Sequence, residues 1–119
     1  MNLITKTLLI YTLIQRNRIY IVMKTIKNAI VVTRHQGLIE YLRQECIIDD
    51  TATVIEQATP QDVTDAHVIG VLPHSLSCLT ASFTEIPLAL PLELRGKELT
   101  ADDVRQYALE PTTYSVNKI

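Results

Sequence analysis

Cysteine is scarce in this chain of 119 residues, since only Cys46 and Cys78 occur and they form no Cys-x-x-Cys pair. The sequence therefore supports neither a disulfide framework nor a zinc site. We expect both to be small buried side chains, as free cysteines usually are. The sequence has no credible export signal, so a reducing, cytoplasmic setting is expected.

A strong charge of one sign and a long apolar run are also missing. The net charge is −2, so we expect no general affinity for duplex nucleic acid or for an anionic membrane surface. The apolar stretch at residues 8–14 is too short to span a bilayer. An anion site in this protein must therefore be a local concentration of basic groups.

The composition is that of one globular domain, with 47% hydrophobic and 20% charged residues. A second methionine, Met23, stands shortly before the first strand pattern. We therefore expect a single domain at residues 23–119. Residues 1–22 are expected to be an upstream extension or a mis-assigned start, and an amphipathic N-terminal helix is the alternative.

Short β-branched and apolar runs alternate with helical patterns along the chain. Strands are predicted at residues 29–32, 52–55, 67–72, 85–90 and 112–116. The third is almost continuously apolar, which is typical of a strand covered on both faces. Pro87 indicates that the fourth lies at a sheet edge or carries a bulge. The alternation predicts a small α/β fold with a mostly parallel sheet flanked by helices.

The helices are predicted between these strands. One follows Gly37 and ends near Cys46, and a second begins at His74 and includes Phe83 in its buried stripe. A third begins after Thr100, whose side chain is expected to cap its first turn.

Three polar loops should meet at one edge of this sheet, at residues 33–37, 72–75 and 91–97. In open α/β sheets, ligands bind where loops leave the carboxyl ends of the strands. The first loop also opens a helix, whose free N–H groups and positive dipole end suit an anion. The basic side chains that these loops bring together are Arg34, His35, His74, Arg95 and Lys97. This predicts a pocket for a phosphate-bearing small molecule, with no metal and no cofactor.

Structural explanations compete with function for several of these residues. His67 is expected to be structural, His74 could simply start a helix, and residues 95–97 could be a solvated turn. A metal site made from the three histidines matches no established ligand spacing. Arg34 and His35 are harder to explain without function, because they follow directly on a buried strand.

Three motifs resemble those of a known family. They are Val-Val-Thr-Arg-His-Gln-Gly-Leu-Ile-Glu-Tyr-Leu at residues 31–42, Gly-Val-Leu-Pro at residues 70–73 and Leu-Glu-Leu-Arg-Gly-Lys-Glu-Leu-Thr at residues 92–100. In this order and spacing they are similar to the VVTRH-motif branch of the Csx accessory proteins, which are found beside type III CRISPR systems. The resemblance covers about residues 28–116.

The resemblance implies a Rossmann-like, CARF-like domain that acts on cyclic oligoadenylate second messengers. It implies a ring nuclease, an enzyme that binds such a cyclic oligoadenylate and linearises it. The expected ligand is cyclic tetra-adenylate, and its cleavage would switch off antiviral signalling. The motif positions that carry over are Thr33, Arg34 and His35 in the first loop, Pro73 in the middle motif, and Arg95, Gly96 and Lys97 in the last loop. Gly37 within the first motif and His74, by its position alone, complete the predicted ligand-binding set.

The chemistry fits these residue types. Attack of a ribose 2′-hydroxyl on the adjacent phosphorus needs alignment and charge stabilisation but no metal. Arg34 with Lys97 or Arg95 would stabilise the phosphoryl oxygens, and His35 or His74 would act as general base or acid. We predict Arg34, His35 and Lys97 as the catalytic set.

A ring of repeating nucleotides also favours a homodimer. Two other interpretations stay open. One is a sensor or sponge that binds the cyclic oligoadenylate without cleaving it. The other is a nucleotide-binding subunit of another complex.

Overall fold

Five short strands form one mixed sheet in the computed structural model, which describes residues 25–119. The predicted extension at residues 1–22 lies outside the described residues. The strands are β1 (Ile30–Val32), β2 (Thr53–Ile55), β3 (His67–Gly70), β4 (Ser82–Glu85) and β5 (Thr112–Tyr114). Their order is β2-β1-β3-β4-β5, and the first four run parallel while β5 is antiparallel to β4.

Helices cover both faces of the sheet. They are α1 (Gln36–Gln44), α2 (Pro60–Val63), α3 (His74–Ser77) and α4 (Ala101–Tyr107), with a 3-10 turn at Leu92–Leu94. The predicted α/β fold with a mostly parallel sheet flanked by helices is confirmed, and it is consistent with a small Rossmann-like fold. No helix within residues 25–119 is long and apolar enough to cross a membrane.

Two apolar clusters hold these layers together, because successive side chains of a strand point to opposite faces. On one face, Val31 and Ile69 pack in a cluster with Leu42 of α1. On the other, Val32 and Val68 pack with Val63 of α2 and Phe83 of β4. Burial of each such side chain contributes about 1.5–3 kcal/mol. Since both faces of β1 and β3 are covered, a ligand can reach these strands only at their ends.

Local capping signals fix where two helices begin. As predicted, Thr100 caps α4: its Oγ1 accepts a hydrogen bond from the Asp103 N–H at 3.1 Å, and Asp103 Oδ2 accepts one from the Thr100 N–H at 3.0 Å. Thr59 and Asp62 form the same reciprocal arrangement at α2. This capping box stabilises the single helical turn of α2.

The fourth strand differs from its prediction. It spans Ser82–Glu85 rather than residues 85–90, and it lies between β3 and β5 rather than at an edge. Phe83 therefore belongs to a strand and not to the stripe of α3, which ends at Ser77. Pro87 follows the strand, so its missing N–H costs the sheet no hydrogen bond.

The prediction that both cysteines are buried is wrong for Cys46, which is exposed, while Cys78 is partly buried. Cys46 does follow the end of α1, as predicted, and has a positive φ of 57°. This backbone conformation reverses the chain just beyond the helix and leaves the side chain at the surface.

Candidate anion-binding site

The strand order creates a switch point between β1 and β3. The chain moves from β1 to β2 on one side and then returns to β3 on the other side of β1. Val32 and Gly70 are paired at the carboxyl ends of these strands, so the loops that follow them leave the sheet side by side. A Cβ on Gly70 would lie 2.2 Å from the Val32 carbonyl oxygen. Open α/β sheets bind ligands in the crevice at such a switch point.

The first loop turns tightly into α1. The Thr33 N–H donates to the Ile55 carbonyl at 3.0 Å, and Thr33 Oγ1 accepts from the His35 N–H at 3.1 Å. His35 is the N-cap of α1 but makes no side-chain capping hydrogen bond, and the first turn has no acidic residue. The positive end of the nine-residue helix α1 is therefore open toward the loop, which suits an anion.

The segment that joins the last loop to α4 packs on the first loop at Gly37. A Cβ on Gly37 would lie 2.1 Å from the Leu99 carbonyl oxygen and 2.7 Å from the Thr100 carbonyl carbon. Only glycine allows the backbone before α4 to pack this closely on the start of α1. Gly37 is buried in this contact, so the structure gives it a packing role, and its predicted contact with a ligand stays a prediction.

A cluster around Arg105 holds α4 on α1. Arg105 Nε lies 3.2 Å from Glu45 Oε1, its guanidinium lies 3.1 Å from Asp102 Oδ1, and a further hydrogen bond joins it to Gln44. Its guanidinium carbon also lies 5.7 Å from the centre of the Tyr41 ring. Partial burial raises the pKa of Tyr41, Glu45 raises it further, and Arg105 opposes the shift. Exposed ion pairs are individually weak, but several contacts to one guanidinium restrict it together.

The five predicted basic side chains, Arg34, His35, His74, Arg95 and Lys97, are all exposed. Within residues 25–119 the two ion pairs both belong to Arg105, so none of these five has a carboxylate partner there. Arg95 Nε does donate to the Leu90 carbonyl at 3.4 Å. Cations held without local counter-ions are available to bind an anion.

The model of the family described as "Putative CRISPR-associated protein (Cas_VVA1548)" matches residues 30–117. The chain belongs to this family. The matched range begins with β1 and contains all three loops of the candidate site. No curated protein and no solved structure matches the chain significantly.

The predicted site residues of this Cas_VVA1548 family member lie on three separate segments. Thr33, which is partly buried, and exposed Arg34 and His35 follow β1. Exposed Pro73 is the N-cap of α3, and His74 is its first residue. Arg95, Gly96 and Lys97 form an exposed turn in which Gly96 has a φ of 77°.

The first and middle segments follow neighbouring strands, because β1 and β3 pair with each other. Gly37, two residues after the first segment, packs against the backbone of Leu99 and Thr100, which follow the last segment. In the described part of the chain, no side-chain hydrogen bond joins one basic segment to another.

The three histidines do not form one group in this family member. His67 lies at the start of β3, where its Nδ1 is 2.7 Å from Ser82 Oγ, whereas His35 and His74 follow the carboxyl ends of β1 and β3. The structural interpretation of His67 is supported by this bond. Residues 25–119 contain no group of three or more His, Cys, Asp or Glu side chains that could hold a metal ion.

Sequence reasoning missed two residues beside the site, Glu85 and Tyr114. Both line a cavity of about 200 Å³ that also includes Val71 and His74. Tyr114 lies in the predicted last strand, but the sequence contains no signal for its pairing with Phe83 of β4. The antiparallel register of β4 and β5 brings these residues to the site from distant parts of the chain.

Proposed function

We propose that this CRISPR-associated protein is a ring nuclease of the Csx type that binds a cyclic oligoadenylate and linearises it. The proposal rests chiefly on the exposed basic residues Arg34, His35 and His74, which follow the carboxyl ends of β1 and β3 and have no carboxylate partners within residues 25–119. Membership in a CRISPR-associated family supports the biological setting. Cyclic tetra-adenylate is the expected ligand because the sequence motifs resemble those of the Csx ring nucleases, and the repeated phosphates of such a ring would suit separate basic segments.

The reaction we propose is an in-line displacement within the ligand. A ribose 2′-oxygen attacks the adjacent phosphorus while the bond from phosphorus to the 5′-oxygen breaks. The 2′-hydroxyl proton passes to a general base, and the leaving 5′-oxygen gains a proton from a general acid. The product is a linear oligoadenylate with a 2′,3′-cyclic phosphate at one end and a 5′-hydroxyl at the other. Atoms and charge balance without water or a metal.

Each catalytic residue in the proposal has a task that follows from its position. His35 caps α1 without using its side chain, so its imidazole is available to act as the general base or acid. Arg34 directly precedes it and would bind the phosphoryl oxygens in a bidentate manner. Lys97 from the last loop would add a second positive charge where negative charge develops.

A homodimer is part of the same proposal. A cyclic ligand with repeated nucleotides has its own rotational symmetry, and a two-fold dimer would offer each half the same groups. Light scattering of the full chain with cyclic tetra-adenylate at micromolar protein concentration should give the mass of two chains. A monomer under these conditions would contradict the dimer without bearing on cleavage.

The decisive experiment incubates the full chain with cyclic tetra-adenylate in EDTA and resolves the products by chromatography and mass spectrometry. Linear products that end in a 2′,3′-cyclic phosphate are expected. Arg34→Ala should lose most of the cleavage, because removal of one charge-stabilising donor typically lowers a rate by about 10²–10³. Arg43→Ala is the matched control, since Arg43 is an exposed arginine at the other end of α1.

The outcomes separate the competing functions. Intact cyclic tetra-adenylate that co-elutes with the protein would contradict cleavage and favour the sensor or sponge. Intact ligand without binding would overturn the choice of substrate and favour another nucleotide-binding role. Full activity in Arg34→Ala, with thermal melts like those of the wild type, would show that the chemistry lies elsewhere.

A further inference from the structure

A cavity of about 200 Å³ opens next to the candidate site, on the sheet face that carries α3. Its walls come from the segment after β3, from α3, and from the paired strands β4 and β5. The register pairs Phe83 with Tyr114 and Glu85 with Thr112, so all four side chains share this face of the sheet. Thr84 and Thr113 point to the opposite face, where their hydroxyls lie 2.8 Å apart. The cavity is thus a consequence of the β4–β5 register.

The cavity is small and largely apolar at its base. Phe83 is 7% exposed and belongs to the core, whereas Tyr114 is 46% exposed and stands at the open side. Val71 is 83% exposed at the rim, directly after β3. Pockets for drug-sized ligands usually measure about 300–1,000 Å³, so this space suits one flat ring system and not a whole nucleotide.

Two polar side chains determine which ligand groups the cavity can bind. Glu85 and His74 line it, and in the described residues neither side chain has an ion pair or a side-chain hydrogen-bond partner. A carboxylate only accepts hydrogen bonds, so Glu85 favours a ring that carries an amino group. His74 starts α3 and lies toward the switch point, and it can therefore face the sugar-phosphate part of the same ligand.

We infer that this cavity is a nucleobase subsite for an amine-bearing base, which is adenine in the proposed cyclic oligoadenylate, while the phosphates of the same ligand bind the basic segments. The inference rests on the proposed function, because the switch-point site supplies the phosphate contacts. In this subsite the base stacks on Tyr114, its edge meets Val71 and its exocyclic amine donates to Glu85. An exposed aromatic ring beside a cationic site is a general device for binding unpaired bases. Uracil is disfavoured, because its O4 is an acceptor like the carboxylate.

The test measures binding of cyclic tetra-adenylate and of the matching cyclic tetra-uridylate by calorimetry, using the full chain. The wild type should prefer the adenine ring. Tyr114→Ala should weaken binding of cyclic tetra-adenylate about fivefold or more, whereas Tyr114→Phe should retain it because the stacking ring remains. Glu85→Gln should reduce the preference for adenine over uracil, since an amide both donates and accepts. Glu110→Gln, an exposed carboxylate outside the cavity, is the control and should behave like the wild type.

The results distinguish failure of the subsite from failure of the proposed function. If the wild type binds cyclic tetra-adenylate while Tyr114→Ala and Glu85→Gln bind both rings as the wild type does, the subsite is overturned and the proposed function stands. If the wild type binds neither ring, the proposed function fails, and adenosine monophosphate then tests the cavity by ligand-observed NMR. Line broadening with the wild type that disappears in Tyr114→Ala would support the subsite, and no broadening would overturn it. Circular dichroism of each variant confirms that it folds.

Discussion

Because of the contact between Gly37 and Leu99, replacing Gly37 by alanine is predicted to destabilise the protein, although this change normally stabilises a helix. Alanine normally stabilises a helix relative to glycine by about 1 kcal/mol. At position 37, however, its Cβ would lie 2.1 Å from the Leu99 carbonyl oxygen and 2.7 Å from the Thr100 carbonyl carbon. These are backbone atoms, so no side chain can rotate to relieve the overlap. Gly37→Ala must therefore push α1 and the segment before α4 apart.

The expected size follows from two opposing effects. Overpacking of this kind costs about 1–3 kcal/mol, and we place a clash with backbone at the upper end of that range. After the gain in helix propensity is subtracted, Gly37→Ala should lower the free energy of unfolding by about 2 kcal/mol. For a domain of this size, the melting temperature should fall by about 8–16 °C.

Thermal melts and urea titrations followed by circular dichroism measure this effect. Glu40→Ala, at an exposed position of the same helix, is the control and should stay within about 0.5 kcal/mol of the wild type. A melting temperature of Gly37→Ala at or above that of the wild type would refute the role we assign to the close contact. It would mean that the backbone at Leu99 and Thr100 can move away from α1 at no cost in stability.

Three further predictions concern the helices that support the site. Thr100→Ala should destabilise the protein by about 1 kcal/mol in urea titrations, because it removes one half of the capping box of α4. Arg105→Ala should lower the melting temperature and should do so less at high salt, since its ion pairs with Glu45 and Asp102 are solvent-exposed; an unchanged melt would show that they contribute nothing. Hydrogen bonds from the Thr59 backbone and side chain lower the pKa of Asp62, so its ionised form stabilises the fold above its unfolded pKa of about 3.9. That contribution is lost as the pH falls through the lowered pKa, and the melting difference between wild type and Asp62→Asn should therefore vanish in acid.

The strands of the α/β core were predictable because their signals are local. Residues 30–32, 53–55 and 67–70 are short β-branched or apolar runs that end at polar residues or glycine. β4 gave no such signal, since it contains the polar residues Ser82, Thr84 and Glu85. Thr84 is fully buried in the middle of the sheet, and only the hydroxyl of Thr113, 29 residues away, makes its burial acceptable. A partner so distant in sequence cannot be inferred from the strand itself.

The candidate site, too, was predictable only in part. Its position at the carboxyl ends of β1 and β3 follows from the order of strands and helices, so Arg34, His35 and His74 could be named from the sequence. The contact of Gly37 with Leu99 depends on how α4 packs on α1, and the cavity beside Glu85 depends on the β4–β5 register. Both are long-range arrangements for which a single sequence has no local marker.

The described domain begins at the amino ends of the strands and ends near the carboxyl ends of the parallel strands. This arrangement matters for anyone who attaches the protein to a surface. Ile26 bridges to Ile48 at the amino ends of the strands, the edge remote from the candidate site. At the other end of the chain, Val116, Asn117 and Lys118 line a groove with His74 and Cys78 of the α3 region. An affinity tag or a sensor-chip linker added after Ile119 would start beside residues that we assign to ligand binding. Immobilisation for binding measurements should therefore not use a group attached after Ile119.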